Sequence, residues 1–305
     1  MNFQRYLSAK RTVDDRALNQ RVEARLADEL RERARRPDCD DLRVLEVGAG
    51  IGATLTRFLS RPWLPDRVRY TVLDLREENV SAARERLPAW AAPRGYAVRR
   101  AGDRHAGNRF LVGRGRRRVE VEFRTGDAFD FLAETGREFD LVVAHAFVDL
   151  VDPADALAAF RGVLAPGGVI YCPITFDGGT IFESGGGGAD SGPDSAFEER
   201  VVSAFHDHID AGGDSRAGRH LLSLAPEEGA VLAVGGSDWV VRPREDGYPA
   251  DEAYFLDCIV EMVGGAVEDE GLDSDRLDRW TDRRRDQIES AELVYCTHQL
   301  DLLVR

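Results

Sequence analysis

The chain has 305 residues, of which 43% are hydrophobic and 31% are charged, so its composition is typical of a globular protein and excludes wholesale disorder. The N-terminus has no apolar segment followed by a small-residue cleavage site, and no apolar run approaches the roughly 18 residues that span a membrane. We therefore expect a cytoplasmic protein with no membrane partner. The net charge of -14 disfavours nucleic acid as a partner. None of the four cysteines forms a CxxC pair, so we expect neither a metal site nor a disulfide framework.

The first 40 residues are polar and helical in pattern. Apolar residues recur every three or four positions from Val13 to Leu30, which predicts one amphipathic helix over 13–36. Thr12 is a suitable start for this helix, and Pro37 ends it. We expect a helical cap over 1–40 and one α/β domain over 41–305.

Strand-like and helix-like segments then alternate. The predicted strands are Leu42–Val47, Val68–Leu75, Val119–Gly126, Phe139–Phe147 and Gly168–Ile174. The predicted helices between them are Ala53–Ser60, Glu77–Leu87 and Pro153–Leu164. This alternation predicts a doubly wound α/β fold with a mostly parallel sheet and helices on both faces.

Two insertions interrupt the pattern. Residues 94–118 are polar and predict a hairpin that turns near Gly113–Gly115. Residues 177–218 predict a substrate lid, because their glycine-rich part, 184–195, is typical of a mobile loop. After them we expect a strand at 230–241, a helix at 254–262 and a last apolar strand at 292–305.

The most informative motif is VLEVGAGIGATL, which starts at Val44. It predicts a strand, a turn with Gly48, Gly50 and Gly52, and the start of a helix, so that backbone N–H groups lie where open α/β folds bind ligands. Asp74 follows the second strand, where it can accept hydrogen bonds from ribose hydroxyls. Asp127 follows the third strand, where it can accept from an exocyclic amine. Together these features indicate a nucleoside-containing cofactor.

The string GAGIGA also fits the dinucleotide fingerprint, with Ala53 in its last place, so an NAD(P)-dependent oxidoreductase is one alternative. Glu46 argues against it. A carboxylate close to the turn is poorly placed beside a pyrophosphate and well placed beside a cationic ligand.

The motifs VLEVGAGIG, Asp74, the Gly126–Asp127 pair, FDLVVAHAF and LAPGGVI occur in an order that resembles the class I S-adenosylmethionine-dependent methyltransferases. The resemblance implies a seven-stranded Rossmann-like sheet with the last strand antiparallel, and S-adenosylmethionine as the cofactor, converted to S-adenosylhomocysteine. It implies that Glu46 lies near the methionine part and that Asp74 binds the ribose. The further cofactor-binding residues that it implies are Gly48, Ala49, Gly50, Gly52, Leu75, Asp127, Ala128, Phe129, Ala144 and His145.

Methyl transfer by in-line displacement requires an oriented acceptor and, for a hydroxyl or protonated amine, a base. His145 and His206 are the catalytic candidates, and His208 and Asp177 are further possible bases. Phe176, Thr180 and Phe182 are candidates for the wall of the acceptor pocket. Arg216 and Arg219 are three residues apart and could hold an acidic group of the acceptor.

We expect a small-molecule acceptor, and two other functions stay open. The nine arginines of 94–118 could follow phosphates, which would suit an RNA or other nucleic-acid methyltransferase. A chain with these motifs could also bind the cofactor without catalysing transfer.

Overall fold

A computed structural model describes residues 1–101, 108–184, 195–225, 230–268 and 270–305. Its strands are β1 (Leu42–Val47), β2 (Arg67–Asp74), β3 (Ala97–Arg100), β4 (Arg109–Arg114), β5 (Arg117–Thr125), β6 (Phe139–Ala144), β7 (Leu164–Ser184), β8 (Val231–Gly236), β9 (Trp239–Val241) and β10 (Leu293–Val304). They form one sheet in the order β3-β4-β5-β2-β1-β6-β7-β10-β8, and β9 pairs with β10.

The helices, in chain order, surround this sheet. They are α1 (Phe3–Ala17), α2 (Gln20–Arg35), α3 (Ala53–Ser60), α4 (Glu77–Ala91), α5 (Ala128–Glu134), α6 (Pro153–Gly162), α7 (Ser195–Asp210), α8 (Ala217–Leu224), α9 (Glu252–Ala266) and α10 (Ser274–Glu289). No helix of the described residues has an apolar stretch long enough to cross a membrane.

The predicted fold class is confirmed. Strands β5, β2, β1, β6 and β7 are parallel to one another, and β10 is antiparallel to β7. The expected number of seven strands is too low for the part of the chain that the structure describes. The 94–118 insertion adds β3 and β4 as an antiparallel extension beside β5, and the predicted strand at 230–241 is two strands, β8 and β9.

The prediction of one helix over 13–36 was wrong. Helix α1 begins ten residues earlier, at Phe3, and the chain leaves the helical conformation at Leu18 and Asn19. The Asn19 side chain accepts hydrogen bonds from the backbone N–H groups of Arg21 and Val22 and so caps α2. An apolar period alone does not show such an interruption, because it continues across the break.

The two faces of the sheet bury separate apolar clusters. One face packs Val44 and Leu141 against α2, α3 and α4, and the other packs Leu45 and Val142 against α5, α6 and α8. Strand β1 is buried on both faces because it lies in the middle of the sheet. Strand β1 and helix α3 are confirmed at the predicted residues.

A third apolar cluster lies beyond the carboxyl end of the parallel strands. Strand β7 pairs with β6 as far as Tyr171 and continues to Ser184 alongside β10. Helices α1, α7, α9 and α10 pack around this extension, and Val13 of α1 and Phe255 of α9 lie in the same cluster as Phe182 of β7. Helix α1 therefore contacts the carboxyl edge of the sheet, whereas α2 covers one of its faces.

The two insertions differ from simple loops. Strands β4 and β5 pair up to Arg114 and Arg117, so the hairpin turns close to the predicted position. In the second insertion, residues 177–184 belong to β7 and 195–210 form α7. The expected mobile segment at 184–195 lies almost wholly outside the described residues.

Candidate functional site

Four of the predicted site positions lie side by side at one edge of the sheet. Strands β5, β2, β1 and β6 are consecutive neighbours, so Asp127, Asp74, Gly48 and His145 follow or end four adjacent strands. Three strand intervals correspond to about 14 Å. An elongated ligand can therefore contact all four positions along the carboxyl edge, where open α/β sheets bind ligands.

The turn after β1 has the backbone that glycine permits. Gly48, Gly50 and Gly52 have φ values of +60°, +54° and +74°, which side-chain-bearing residues rarely adopt. A Cβ atom on Gly48 would lie 2.6 Å from Cδ2 of Phe147, and one on Gly50 would lie 3.2 Å from Cδ1 of Leu7. The turn is thus packed closely beneath Phe147 and the α1 side chain Leu7.

Asp74 ties this turn to the second strand. Its Oδ2 accepts the backbone N–H of Gly50 at 2.7 Å, and its Oδ1 accepts from the Arg76 backbone at 2.9 Å and from Asn79 Nδ2 at 3.0 Å. A carboxylate has about four acceptor positions, so these donors leave one for a ligand hydroxyl. Leu75, the next residue, is 67% exposed at the same edge.

Asp127 caps α5. Its Oδ1 accepts the backbone N–H groups of Phe129 and Asp130 at 2.8 and 3.1 Å. No donor among the described residues contacts Oδ2, so this oxygen can still accept from an amine. Ala128 is buried and Phe129 is half-buried beside it.

Glu46 is turned into the core. Its side chain is buried and accepts a hydrogen bond from the Tyr70 hydroxyl at 2.6 Å. Burial raises the pKa of Glu46 to about 7, against the hydrogen bonds from Tyr70 and Thr54. A cation nearby would favour the ionised form of this carboxyl.

The segment after β6 brings His145 against helix α1. Ala144 pairs with Val47, so His145 lies beside the residue that starts the glycine turn. The Ala144 side chain packs in the core below α6, whereas His145 Nε2 lies 3.0 Å from Oδ2 of Asp14. His145 Nδ1 is buried and has no hydrogen-bond partner among the described residues.

The residues around His145 were not predicted from the sequence. Asp14 also accepts hydrogen bonds from Lys10 Nζ at 2.9 Å and Trp239 Nε1 at 3.0 Å, and all three side chains are buried. Asp149 lies close to the same cluster, and burial raises its pKa to about 6. In the helix predicted over 13–36, Asp14 stands in the first turn, where acidic residues are common, so the sequence carries no signal for its contact with His145.

The candidate acceptor residues come together only in part. Thr180, Phe182 and His206 line a cavity of about 500 Å³ between β7, α7 and α10, together with Trp280. His206 Nε2 lies 3.1 Å from Thr180 Oγ1, and burial lowers the His206 pKa. Phe176 packs against the His206 ring with centroids 5.5 Å apart. His208 lies exposed on the same helix.

The two arginines proposed to hold an acidic group are placed differently. Arg219 Nε donates to Asp177 Oδ1 at 2.9 Å, and its Nη2 donates to the Asp177 carbonyl oxygen at 2.8 Å. Arg216 is exposed at the start of α8. Neither contributes to the cavity lined by His206. The same contacts occupy Asp177, the other candidate base.

The arginine-rich hairpin lies at the far edge of the sheet. A cavity of about 650 Å³ runs along it and includes Arg67, Arg69, Arg99 and Arg118. Arg67 and Arg69 both donate to Asp41, and Arg118 donates to backbone carbonyl oxygens. Strands β5, β2 and β1 separate this hairpin from His145.

The described residues can hold an adenosine-like ligand but show no metal site. The open acceptor positions on Asp74 and Asp127 fit a ribose hydroxyl and an amine, and the glycine turn, next to Asp74 on the side away from Asp127, allows close approach of a ligand to the backbone. Within the described ranges, no group of three or more His, Cys, Asp or Glu residues is placed to hold a metal ion.

Comparison with solved structures gives distant likenesses. YjhP from E. coli is 13% identical, with 94% of this chain and 93% of that chain covered and a TM-score of 0.42. The plantazolicin methyltransferase BamL, in a complex with S-adenosylhomocysteine, is 15% identical over 98% of this chain and 88% of that chain, with a TM-score of 0.39. Phosphoethanolamine N-methyltransferase 2 of Haemonchus contortus is 14% identical over 92% of this chain and 52% of that chain, with a TM-score of 0.37.

The sequence comparisons are more specific. No curated protein matches the chain. A protein-family model described as a methyltransferase domain matches residues 45–172, which run from β1 to β7 and include the glycine turn, Asp74, Asp127 and His145. Over residues 45–172, less than half of the chain, the protein is therefore similar to a methyltransferase domain.

Proposed function

We propose that this chain transfers a methyl group from S-adenosylmethionine to a small-molecule acceptor. The observation that carries the proposal is the row of positions at the carboxyl edge of β5, β2, β1 and β6. Asp127 would accept from the adenine amine, Asp74 from the ribose, and the Gly48–Gly52 turn would approach the rest of the cofactor. The next strand then presents His145 to the reacting end.

Bound S-adenosylmethionine supplies a methyl group that is already activated by its positively charged sulfur. The protein has to orient the acceptor, exclude water and remove a proton where the acceptor carries one. Helix α1 would exclude water from this edge, because Leu7 lies above the turn and Asp14 contacts His145. Helix α1 of the predicted 1–40 cap would therefore cover the reacting groups, whereas α2 lies against a face of the sheet.

The 500 Å³ cavity suits a small-molecule acceptor. Phe182 and Trp280 provide apolar walls, and Thr180 and His206 provide polar groups. The hairpin with its arginines is separated from His145 by three strands, so a nucleic acid held there would lie away from the methyl group. The arrangement therefore favours a small molecule over RNA.

Isothermal titration calorimetry on the full chain tests the cofactor. S-adenosylhomocysteine should bind with measurable heat, and NADH should give none. Asp74→Asn should weaken that binding at least tenfold, because Asp74 both accepts from the ribose and holds Gly50. Asp41→Asn, which changes an acid at the opposite end of the sheet, is the matched control and should leave the affinity unchanged. Saturation by NADH without binding of S-adenosylhomocysteine would refute the proposal.

A further inference from the structure

Asp14 is a buried carboxylate with three donors. It lies on α1 and accepts hydrogen bonds from Lys10, His145 and Trp239 at 2.9 to 3.0 Å, although only 3% of the residue is exposed. Burial opposes its ionisation, yet the Lys10 ammonium and the hydrogen bond with His145 outweigh burial and hold the pKa of Asp14 well below its usual range. Asp14 is therefore an anion, and every partner of its two oxygens must donate.

This charge state fixes the hydrogen on His145. The Nε2 atom faces an anionic oxygen at 3.0 Å, so Nε2 carries the hydrogen and donates it. In a neutral imidazole the other nitrogen, Nδ1, then has a free lone pair. Nδ1 is buried without a partner in the described part of the chain, and its strand position is beside the glycine turn. An imidazole held by a carboxylate on one nitrogen, with a lone pair on the other, is arranged as a general base.

We propose that Asp14 is a positioning residue that keeps His145 as the Nε2–H tautomer, so that Nδ1 takes the proton of a protic methyl acceptor, an alcohol, phenol or protonated amine. This inference rests on the proposed function and adds the acceptor class to it. Nδ1 receives the proton of an alcohol or phenol as the oxygen forms its bond to the methyl carbon. It receives the proton of an ammonium group before that bond forms, because the nitrogen has a lone pair only after deprotonation. The pair of electrons from the breaking carbon–sulfur bond stays on sulfur, which becomes a neutral thioether. The imidazolium is then stabilised by Asp14 until it releases its proton to water.

The surrounding charges agree with this assignment. The groups that act on His145 are Asp14 and Lys10 from α1 and Arg57 from α3. Burial, opposed by Asp14, lowers the pKa of His145 to about 4, so the ring is neutral near pH 7 and its lone pair is available. Asp149, on the segment after β6, also faces Lys10.

The tautomer can be measured without knowing the acceptor. Long-range ¹H–¹⁵N correlation spectra of the full chain distinguish protonated from bare imidazole nitrogens. The chain has six histidines, and loss of one pattern in His145→Gln assigns that pattern to His145. We expect protonated Nε2 and bare Nδ1 in the wild type. Protonated Nδ1 of His145 in the wild type would overturn the inference.

Asp14→Asn tests the cause of the tautomer. The asparagine amide can donate to Nε2, so we expect the hydrogen to move to Nδ1 in at least half of the molecules. Asp28→Asn is the control, because Asp28 lies on α2 with a 71% exposed side chain and its carboxylate binds Arg31 instead of His145. It should leave the His145 pattern unchanged. An unchanged pattern in Asp14→Asn, or the same change in both variants, would contradict the assignment.

Turnover completes the test. The probe is a panel of simple alcohols, phenols and amines, with S-adenosylhomocysteine formation as the readout. Asp14→Asn should lower kcat at least tenfold and leave the KM for S-adenosylmethionine unchanged. Retention of full kcat would refute the role of Asp14. Failure of the proposed function is distinguishable, because it would appear as absent S-adenosylhomocysteine binding with an intact Nε2–H tautomer.

Discussion

Replacing Gly48 by alanine should destabilise the folded protein in two ways that glycine avoids. The first is conformational, because Gly48 has a φ of +60° and an L-residue in the left-handed region costs about 1–2 kcal/mol. The second is steric. The new Cβ would lie 2.6 Å from Cδ2 of Phe147, whereas carbon atoms pack at about 3.5–4.0 Å, so the ring must move by about 1 Å.

Overpacking of this kind costs about 1–3 kcal/mol, so Gly48→Ala should destabilise the protein by about 2–5 kcal/mol in total. Gly115→Ala is the matched control. Gly115 has a φ of +59° but nothing within 4 Å of its Cβ position, so only the conformational cost of about 1–2 kcal/mol applies. The two variants share a strained backbone and differ in the neighbour that the methyl group meets.

Urea unfolding of the ligand-free proteins measures the difference. With a slope of about 3 kcal/mol per molar urea, the Gly48→Ala midpoint should lie about 0.3–1 M below that of Gly115→Ala. Phe147→Leu in the Gly48→Ala background should recover part of that loss, because the smaller side chain removes the contact. Equal midpoints for the two alanine variants, or no coupling between positions 48 and 147, would show that the close packing of Phe147 does not require glycine at this turn.

Two further changes test buried carboxyl groups. The pKa of Glu46 is raised to about 7 from an ordinary value near 4.5. Between pH 4.5 and pH 7 the folded state therefore holds a proton that the unfolded state has released. The free energy of unfolding should fall by about 3 kcal/mol as the pH rises through this window. Glu46→Gln should remove that pH dependence in thermal unfolding, and an unchanged slope would place the titration elsewhere. Asp301 accepts the backbone N–H groups of Asn19 at 2.7 Å and of Ile174 at 2.8 Å, so Asp301→Ala should cost about 2–5 kcal/mol through two unsatisfied buried donors. The control Asp28→Ala, at a carboxylate that is 71% exposed, should change stability by less than about 0.5 kcal/mol in the same urea assay, and a similar loss in both would contradict this account.

Two residues beside His145, Ile174 and Ala146, have an unusual backbone conformation. A β-branched residue with a φ of +56° is unusual, and Asp301 holds its N–H in that conformation. Next to it, the Ala146 N–H donates to the Pro173 carbonyl oxygen at 3.0 Å, and Ala146 has a φ of +47°. Two strained residues therefore bend the chain after β6 and within β7, beside His145. The predicted strand at 139–147 was too long because this bend ends β6 at Ala144.

The sequence by itself determined the elements that local patterns encode. The β1 strand, the glycine turn and helix α3 follow from an apolar run, from glycine spacing and from a helix start, all within about 20 residues of chain. The α/β alternation then determined the sheet type and placed Asp74 and Asp127 at strand ends. These features depend on residues near one another in sequence, so one sequence is enough to predict them.

Only the tertiary structure decided what lies against His145. Asp14 is separated from it by 131 positions, and Trp239 is separated from Asp14 by 225. The break at Asn19 directs α1 to the carboxyl edge and α2 to a face of the sheet, because each helix buries its apolar side against a different cluster. The hydrogen bond from Arg219 to Asp177 could not be predicted from the sequence for the same reason. Hydrogen bonds between distant segments depend on how the helices pack, and the periodicity of one segment does not contain that information.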